Sequence, residues 1–249
     1  MTIDGHTHLY DEFLGQRGAE VEEFLEGLSS AGVDKAIVFT VKGLYGDCRR
    51  HNDSLYEATK GYRDRLVPFC TVSPNDGPEA VEELRRCVRE LGMPGVKFHP
   101  WLQSFPPVHP WLGPIFEELK ALGVPAVFHD GTPPYSAPLQ IAYIASQFPQ
   151  VPVILGHSGL HDMWREALRA ARKLDNIYLC TCGSTFLALR TMAQVVGASR
   201  MIYGSDFLLG GVEGMRYQLK LVDLLPLPED DKEKILGGNL MDLVPVLRS

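Results

Sequence analysis

The sequence opens with Ile3-Asp4-Gly5-His6-Thr7-His8, in which a single residue separates two histidines. Alternate side chains of an extended strand leave the same face, so His6 and His8 would point at one spot. Neutral imidazole nitrogens paired in that way suit one divalent metal ion. A surface pair or a hydrogen-bonded core pair is the competing explanation, and the spacing alone does not decide. Further along, ionisable residues recur at the ends of apolar runs. Lys97 and His99 lie in Gly95-Val-Lys-Phe-His99, His129 closes 125–129, His157 closes 151–157, and Asp206 closes 201–206.

Those runs are of strand length and alternate with amphipathic runs of helix length. Strands are expected at the His6/His8 segment and at 35–41, 66–72, 95–99, 125–129, 151–157, 177–182 and 201–206. A helix fits Val21, Phe24, Leu25 and Leu28, whose three-and-four spacing makes one apolar stripe. Another carries Val81, Leu84, Val88 and Leu91 behind Asn75-Asp76-Gly77-Pro78, which supplies turn chemistry and a first-turn proline. Further helices fit 54–62, 112–122, 139–148 and 164–174, and helical segments follow 201–206.

The strands read as continuous apolar runs, as strands buried on both faces do. Eight strand-helix units of about thirty residues imply a (β/α)8 TIM barrel formed by one domain over residues 1–249, with a doubly wound open sheet as the alternative. In such barrels chemistry sits at the carboxyl ends of the strands, where these histidines and Asp206 fall. Each has a structural explanation when taken singly, such as a helix cap for Asp206 or a backbone-bonded core position for His157. Their joint convergence on one mouth favours a site.

Composition bounds the rest. Hydrophobic residues make up 45% and charged residues 22%, a globular mixture, and the formal net charge is -7. That balance argues against a surface built to attract nucleic acid or anionic membrane. No apolar run reaches the length of a membrane span and no signal-like start is present, so the cytoplasm is the expected location. Five cysteines without CxxC spacing indicate neither a disulfide framework nor a cysteine zinc site. Cys180 and Cys182 share a face if their segment is a strand; packing is the simpler role, with a pocket within reach of Cys182. Gly156-His157-Ser158-Gly159-Leu160 is not a nucleophile elbow, because that pattern requires glycine where Leu160 stands.

The chain resembles the amidohydrolase superfamily, and within it the amidohydrolase-related branch that includes aminocarboxymuconate-semialdehyde decarboxylase. The matching stretches are Ile3-Asp-Gly-His6-Thr-His8, Gly95-Val-Lys-Phe-His99-Pro, Val-Phe-His129, Leu-Gly-His157-Ser-Gly, Tyr-Gly-Ser-Asp206-Phe and Ile235-Leu-Gly-Gly-Asn239, in family order. The resemblance implies that His6, His8, His129 and Asp206 bind one divalent metal, zinc first, with manganese or another divalent ion as the alternative. It implies that His157 holds or deprotonates a metal-bound water and that Asp206 also accepts a proton. Lys97 bears on the metal count, since hydrolases elsewhere in the superfamily bridge two metals with a carboxylated lysine on the fourth strand. An unmodified Lys97 would bind a substrate anion or extend its stem along apolar surface.

The substrate is expected to be a small, carboxylate-bearing molecule. The loop after the second strand carries Lys42, Arg49 and Arg50, and the resemblance implies that this loop can supply an arginine to clamp a carboxylate; Arg49 is the candidate, beside Lys97, His99 and the possible aromatic wall Trp101. A homodimer is left open. The expected activity is metal-dependent hydrolysis, because no long insertion is evident to enclose an aromatic acid. A nonoxidative decarboxylase of a small unsaturated or aromatic acid is the alternative, and a ligand-binding barrel without catalysis is the third.

Overall fold

A computed structural model describes residues 1–248. Eight parallel strands form the framework: β1 (Ile3–Leu9), β2 (Lys35–Thr40), β3 (Leu66–Pro68, continued by Cys70–Thr71), β4 (Val96–Phe98), β5 (Ala126–Phe128), β6 (Val153–Leu155), β7 (Ile177–Cys180) and β8 (Met201–Ile202). Each is followed by a helix: α1 (Val21–Ala31), α2 (Cys48–Thr59), α3 (Pro78–Arg89), α4 (Leu112–Leu122), α5 (Pro138–Gln147), α6 (Trp164–Lys173), α7 (Phe186–Val196) and α8 (Gly211–Asp223). The helix α7 carries no expectation above, and most strands are shorter than the apolar runs that signal them. Their last residues instead leave the ladder and carry side chains into the mouth.

The strands close into a ring. In β3, Leu66–Pro68 pairs with β2 and Cys70–Thr71 pairs with β4, so the ladder changes partner at Phe69, whose N–H still reaches Val38 O at 3.0 Å. At the other seam the chain after β8 runs beside β1: Gly5 N–H donates to Tyr203 O at 2.9 Å and Asp206 N–H to His6 O at 2.9 Å, with a further bond from His8 N–H to Phe207 O. This is a (β/α)8 barrel, as its repeat of units implies.

Two apolar layers follow from the alternation of side chains. Ala36, Val38, Val96, Phe98, Ala126, Phe128, Val153 and Leu155 face outward to the helices, while Ile37, Phe39, Val67, Phe69, Val127, Ile154, Cys180 and Ile202 fill the barrel. Leu240, Val244 and Leu247 plug its amino-terminal end, beneath Ile3.

Strand β1 departs from simple alternation. Its register with β2 shifts between Asp4 and Thr7: Asp4 lies opposite Ala36, yet Thr7 lies opposite Val38, so three steps on β1 match two on β2. This bulge lets Ile3 point into the barrel and still turns His6 and His8 inward. Asp4 secures it by accepting from His6 N–H at 3.0 Å and, across the seam, from Ser205 N–H at 3.1 Å and Ser205 Oγ–H at 2.5 Å. Gly5 lies so close to β8 that a Cβ there would meet Ile202 Cγ2 at 2.8 Å and Tyr203 O at 3.1 Å. Gly5→Ala is therefore expected to destabilise the chain by about 1–3 kcal/mol through overpacking, read as a lower urea midpoint with unchanged slope. An unchanged midpoint would show that the seam has slack.

Candidate active site

His6 and His8 project from the bulged strand into the upper barrel, where the rings lie edge-on to Phe39 at 5.2 and 5.6 Å. The His6 Nδ1–H donates to Gly156 O at 2.9 Å, which fixes the tautomer and leaves Nε2 with its lone pair toward the mouth. Glycine is required opposite: a Cβ at Gly156 would meet His6 Cε1 at 2.7 Å. Asp206 brings its Oδ1 to 3.2 Å from His8 Nε2 and 3.6 Å from His6 Nε2. It does so with φ at 65°, a left-handed conformation uncommon outside glycine and typical of functional positions.

Two atoms of this group have no ordinary partner. Asp206 Oδ1 and His8 Nδ1 are buried without a hydrogen bond, whereas nearly all buried polar atoms have one. Two imidazoles and a carboxylate oxygen, converging with an orphaned oxygen among them, are a donor set that fits a divalent ion. His129 stands apart from that set: its Nε2 is paired with Thr132 Oγ1 at 2.9 Å, and its ring stacks on His99 at 3.7 Å and abuts His157 at 4.5 Å.

Lys97 is wholly buried, with Nζ 2.9 Å from His6 Nε2 and 4.8 Å from the Phe39 ring centre. Burial pulls its ammonium down to about 8, against the opposing charge of Asp206. His157 is pulled down to about 4 and His99 to about 2, chiefly by burial and then by neighbouring cationic groups, Lys97 among them. His6 and His129 also lie well below the ordinary value, again through burial first. Asp206 is moved up by burial but further down by His8, whose Nε2 lies 3.2 Å from its Oδ1, and by the surrounding histidines, so it is held as a carboxylate.

Asp130 and Asp4 were not anticipated as site groups, whereas Cys182 reaches the site that the sequence left open to it. Asp130 is fully buried and accepts from His157 N–H at 2.7 Å and Gly159 N–H at 2.6 Å, thereby fixing the loop that carries His157. Its position directly after His129, at a strand end, was the available signal. Asp4 acts similarly on His6, although only its place in the opening motif marked it. Cys182 lies within the barrel interior, and its Sγ is 3.2 Å from His157 Nδ1.

The second-strand loop is arranged otherwise. Arg49 turns outward to Glu83 at 3.5 Å, away from the histidines. Lys42 pairs with Asp11 at 2.7 Å, and with Arg50 it borders a cavity of about 320 Å³ lined by Leu9, Tyr10 and residues of α1 and α2. Trp101 is half exposed on the loop after β4.

A closed (β/α)8 barrel with a buried histidine, lysine and carboxylate cluster at its carboxyl end defines a class of barrel enzymes. The chain belongs to the amidohydrolase family, whose model matches residues 3–245, and it is an enzyme of that superfamily. It is 26% identical over 258 residues to the gamma-resorcylate decarboxylase of Polaromonas sp., covering 80% of this chain and 76% of that protein. It is 24% identical over 214 residues to the 2-keto-4-carboxy-3-hexenedioate hydratase of Sphingobium sp., covering 69% and 62% respectively. A solved dihydroxybenzoic acid decarboxylase from Polaromonas sp., holding manganese and the inhibitor 2-nitroresorcinol, shares the fold with a TM-score of 0.79 at 19% identity, covering 100% of this chain and 98% of that one.

The expectation of hydrolysis is overturned by these relatives, which are named decarboxylases and a hydratase. The donor set serves several reactions alike, and the compactness of the chain carried no information about the bond broken. Among the described residues, no helix is long and apolar enough to cross a membrane.

The burial of so many neutral histidines makes stability pH-dependent. His6, His8, His99, His129 and His157 all protonate at lower pH folded than unfolded, so below about 6.5 the unfolded chain binds more protons and stability falls. Asp4 and Asp130, each raised to about 7 by burial, work in the opposite direction between about 4 and 7, but two carboxyls do not offset five imidazoles. The thermal midpoint of metal-free protein is expected to drop between pH 7.5 and 5.5; a midpoint that rose would show that the histidines are not held neutral.

Proposed function

We propose that the chain is a single catalytic domain acting as a metal-dependent nonoxidative decarboxylase of a small unsaturated or aromatic acid. The observation that carries this is the convergence of His6, His8 and the orphaned Asp206 Oδ1 at the mouth of a barrel whose relatives are chiefly named decarboxylases. His6, His8 and Asp206 would hold one divalent ion, zinc or manganese, both compatible with imidazole and carboxylate donors. When bound, such an ion supplies Lewis-acid charge that anchors an anionic substrate.

Loss of carbon dioxide requires a proton to reach the carbon bearing the carboxylate; the carbon–carbon bond then breaks, and its electron pair stays on the substrate. We assign to His157 and Asp206 the uptake of that proton from water and its passage to the carbon. His157 has Nδ1 occupied by Cys182, which leaves Nε2 for transfer, and Asp130 holds its backbone in place. Asp206 Oδ1 lies 3.2 Å from His8 Nε2 and 3.6 Å from His6 Nε2, at the centre of the cluster. Lys97 contributes a buried positive charge beside His6, suited to drawing in a carboxylate. The stacked His99 and His129 rings offer a flat aromatic wall against which an unsaturated acid can lie.

Protein loaded with zinc or manganese should release carbon dioxide from some member of a panel of hydroxybenzoic and muconate-type acids. Asp206→Asn should lower the rate by roughly 10²–10⁴-fold, the range for a lost proton-transfer group, and also lower metal content measured by mass spectrometry. Absence of carbon dioxide from the whole panel with fully loaded protein would refute this function.

A further inference from the structure

The mouth contains two donor sets that share one imidazole. Besides His6, His8 and Asp206, the side chains of His6, His157 and Cys182 each place a ligand atom within 4.8 Å of the others. All three are buried, at 0%, 4% and 1% exposure, and Cys182 Sγ already lies 3.2 Å from His157 Nδ1. The two sets differ in chemical softness. The first offers two nitrogens and a carboxylate oxygen; the second offers two nitrogens and a sulfur, and thiolate favours soft ions whereas carboxylate favours hard ones.

We propose that His6, His157 and Cys182 form a second ion site for strongly thiophilic divalent cations such as cadmium. His6 Nδ1 is committed to Gly156 O, so the ring has only Nε2, now facing Lys97 Nζ at 2.9 Å, to offer and serves one ion at a time. The two sites are therefore alternatives. Binding forms an Sγ–metal bond and releases the thiol proton to solvent, with no change of oxidation state. An ion held there takes His6 from the first donor set and places a fixed positive charge on His157, the residue assigned to proton transfer. Thiophilic ions in excess thus act as inhibitors of the same protein that a harder ion activates. This inhibitory consequence rests on the function proposed above, whereas the ion site itself does not.

No other cysteine offers the same environment. Cys70 and Cys87 belong to the helix-facing apolar layer, and Cys48 accompanies Gly43 on the outer side of β2. Cys180 Sγ packs where a Cβ on Gly204 would stand.

The test uses the full chain titrated with cadmium chloride alone and followed by the ultraviolet thiolate-to-cadmium charge-transfer band. The band is expected in the natural sequence and in Asp206→Asn, which dismantles the first donor set. It is expected to be lost in Cys182→Ala and in His157→Ala. Circular dichroism melts check that each variant folds, and Cys182→Ser, closer in volume, replaces the alanine variant if that one does not. No band in the natural sequence overturns the proposal, as does a band that persists without Cys182. Loss of the band in folded Asp206→Asn overturns it too, because the sulfur would then be serving the first site. Each readout is independent of turnover, so failure of the decarboxylase assignment would leave the result interpretable.

Discussion

The extra residue in β1 is the constraint on which the mouth depends. Without the shift between Asp4 and Thr7, strict alternation would send Ile3 and the two histidines to opposite faces, and the barrel would have either its floor contact or its donors. The bulge gives both. Its cost is an unpaired backbone N–H at His6, which Asp4 satisfies while also gripping Ser205 on the far side of the seam. The same carboxyl therefore shapes the strand that carries His6 and His8 and ties it to the segment that carries Asp206. Glycine at position 5 allows the two backbones to approach closely enough for this.

Around that seam the protein has assembled groups that repel one another when charged. Five histidines and Lys97 occupy one apolar-walled space with one ionised acid, Asp206. The arrangement persists because burial keeps the imidazoles neutral, and each neutral ring then has a lone pair to offer. Backbone acceptors and donors complete the alignment: Gly156 O for His6, and the Asp130 carboxyl for the loop beneath His157. Two buried acids thus set the positions of two histidines at the mouth through the backbone.

Much of this was legible from residue order. Repeated apolar runs of strand length gave the barrel, and strand-end placement identified His6, His8, His157 and Asp206 as neighbours. Three things were not legible. A bulge leaves no mark on composition, so the inward turn of His6 and His8 followed from strand pairing that a single sequence does not display. Side-chain orientation is likewise set by neighbours: His129 lies at the expected strand end but engages Thr132, and Arg49 lies on the expected loop but engages Glu83. Reaction type was misread because hydrolysis and decarboxylation draw on the same ligand-bearing residues; the distinction resides in the substrate and its proton path.

The seam also places a condition on how the donor cluster comes into being. Gly5 and Tyr203, joined across it, are separated by nearly the whole barrel in sequence, and no local turn brings them together. Closing so long a loop is among the slower and entropically costlier events available to a chain of this size. His6 and His8 enter from one side of that loop and Asp206 from the other, so partly folded forms hold only fragments of the donor cluster. A cation that needs all three selects ring-closed molecules from the ensemble and deepens that basin by mass action. Occupancy of the mouth would in this sense be a readout of completed folding.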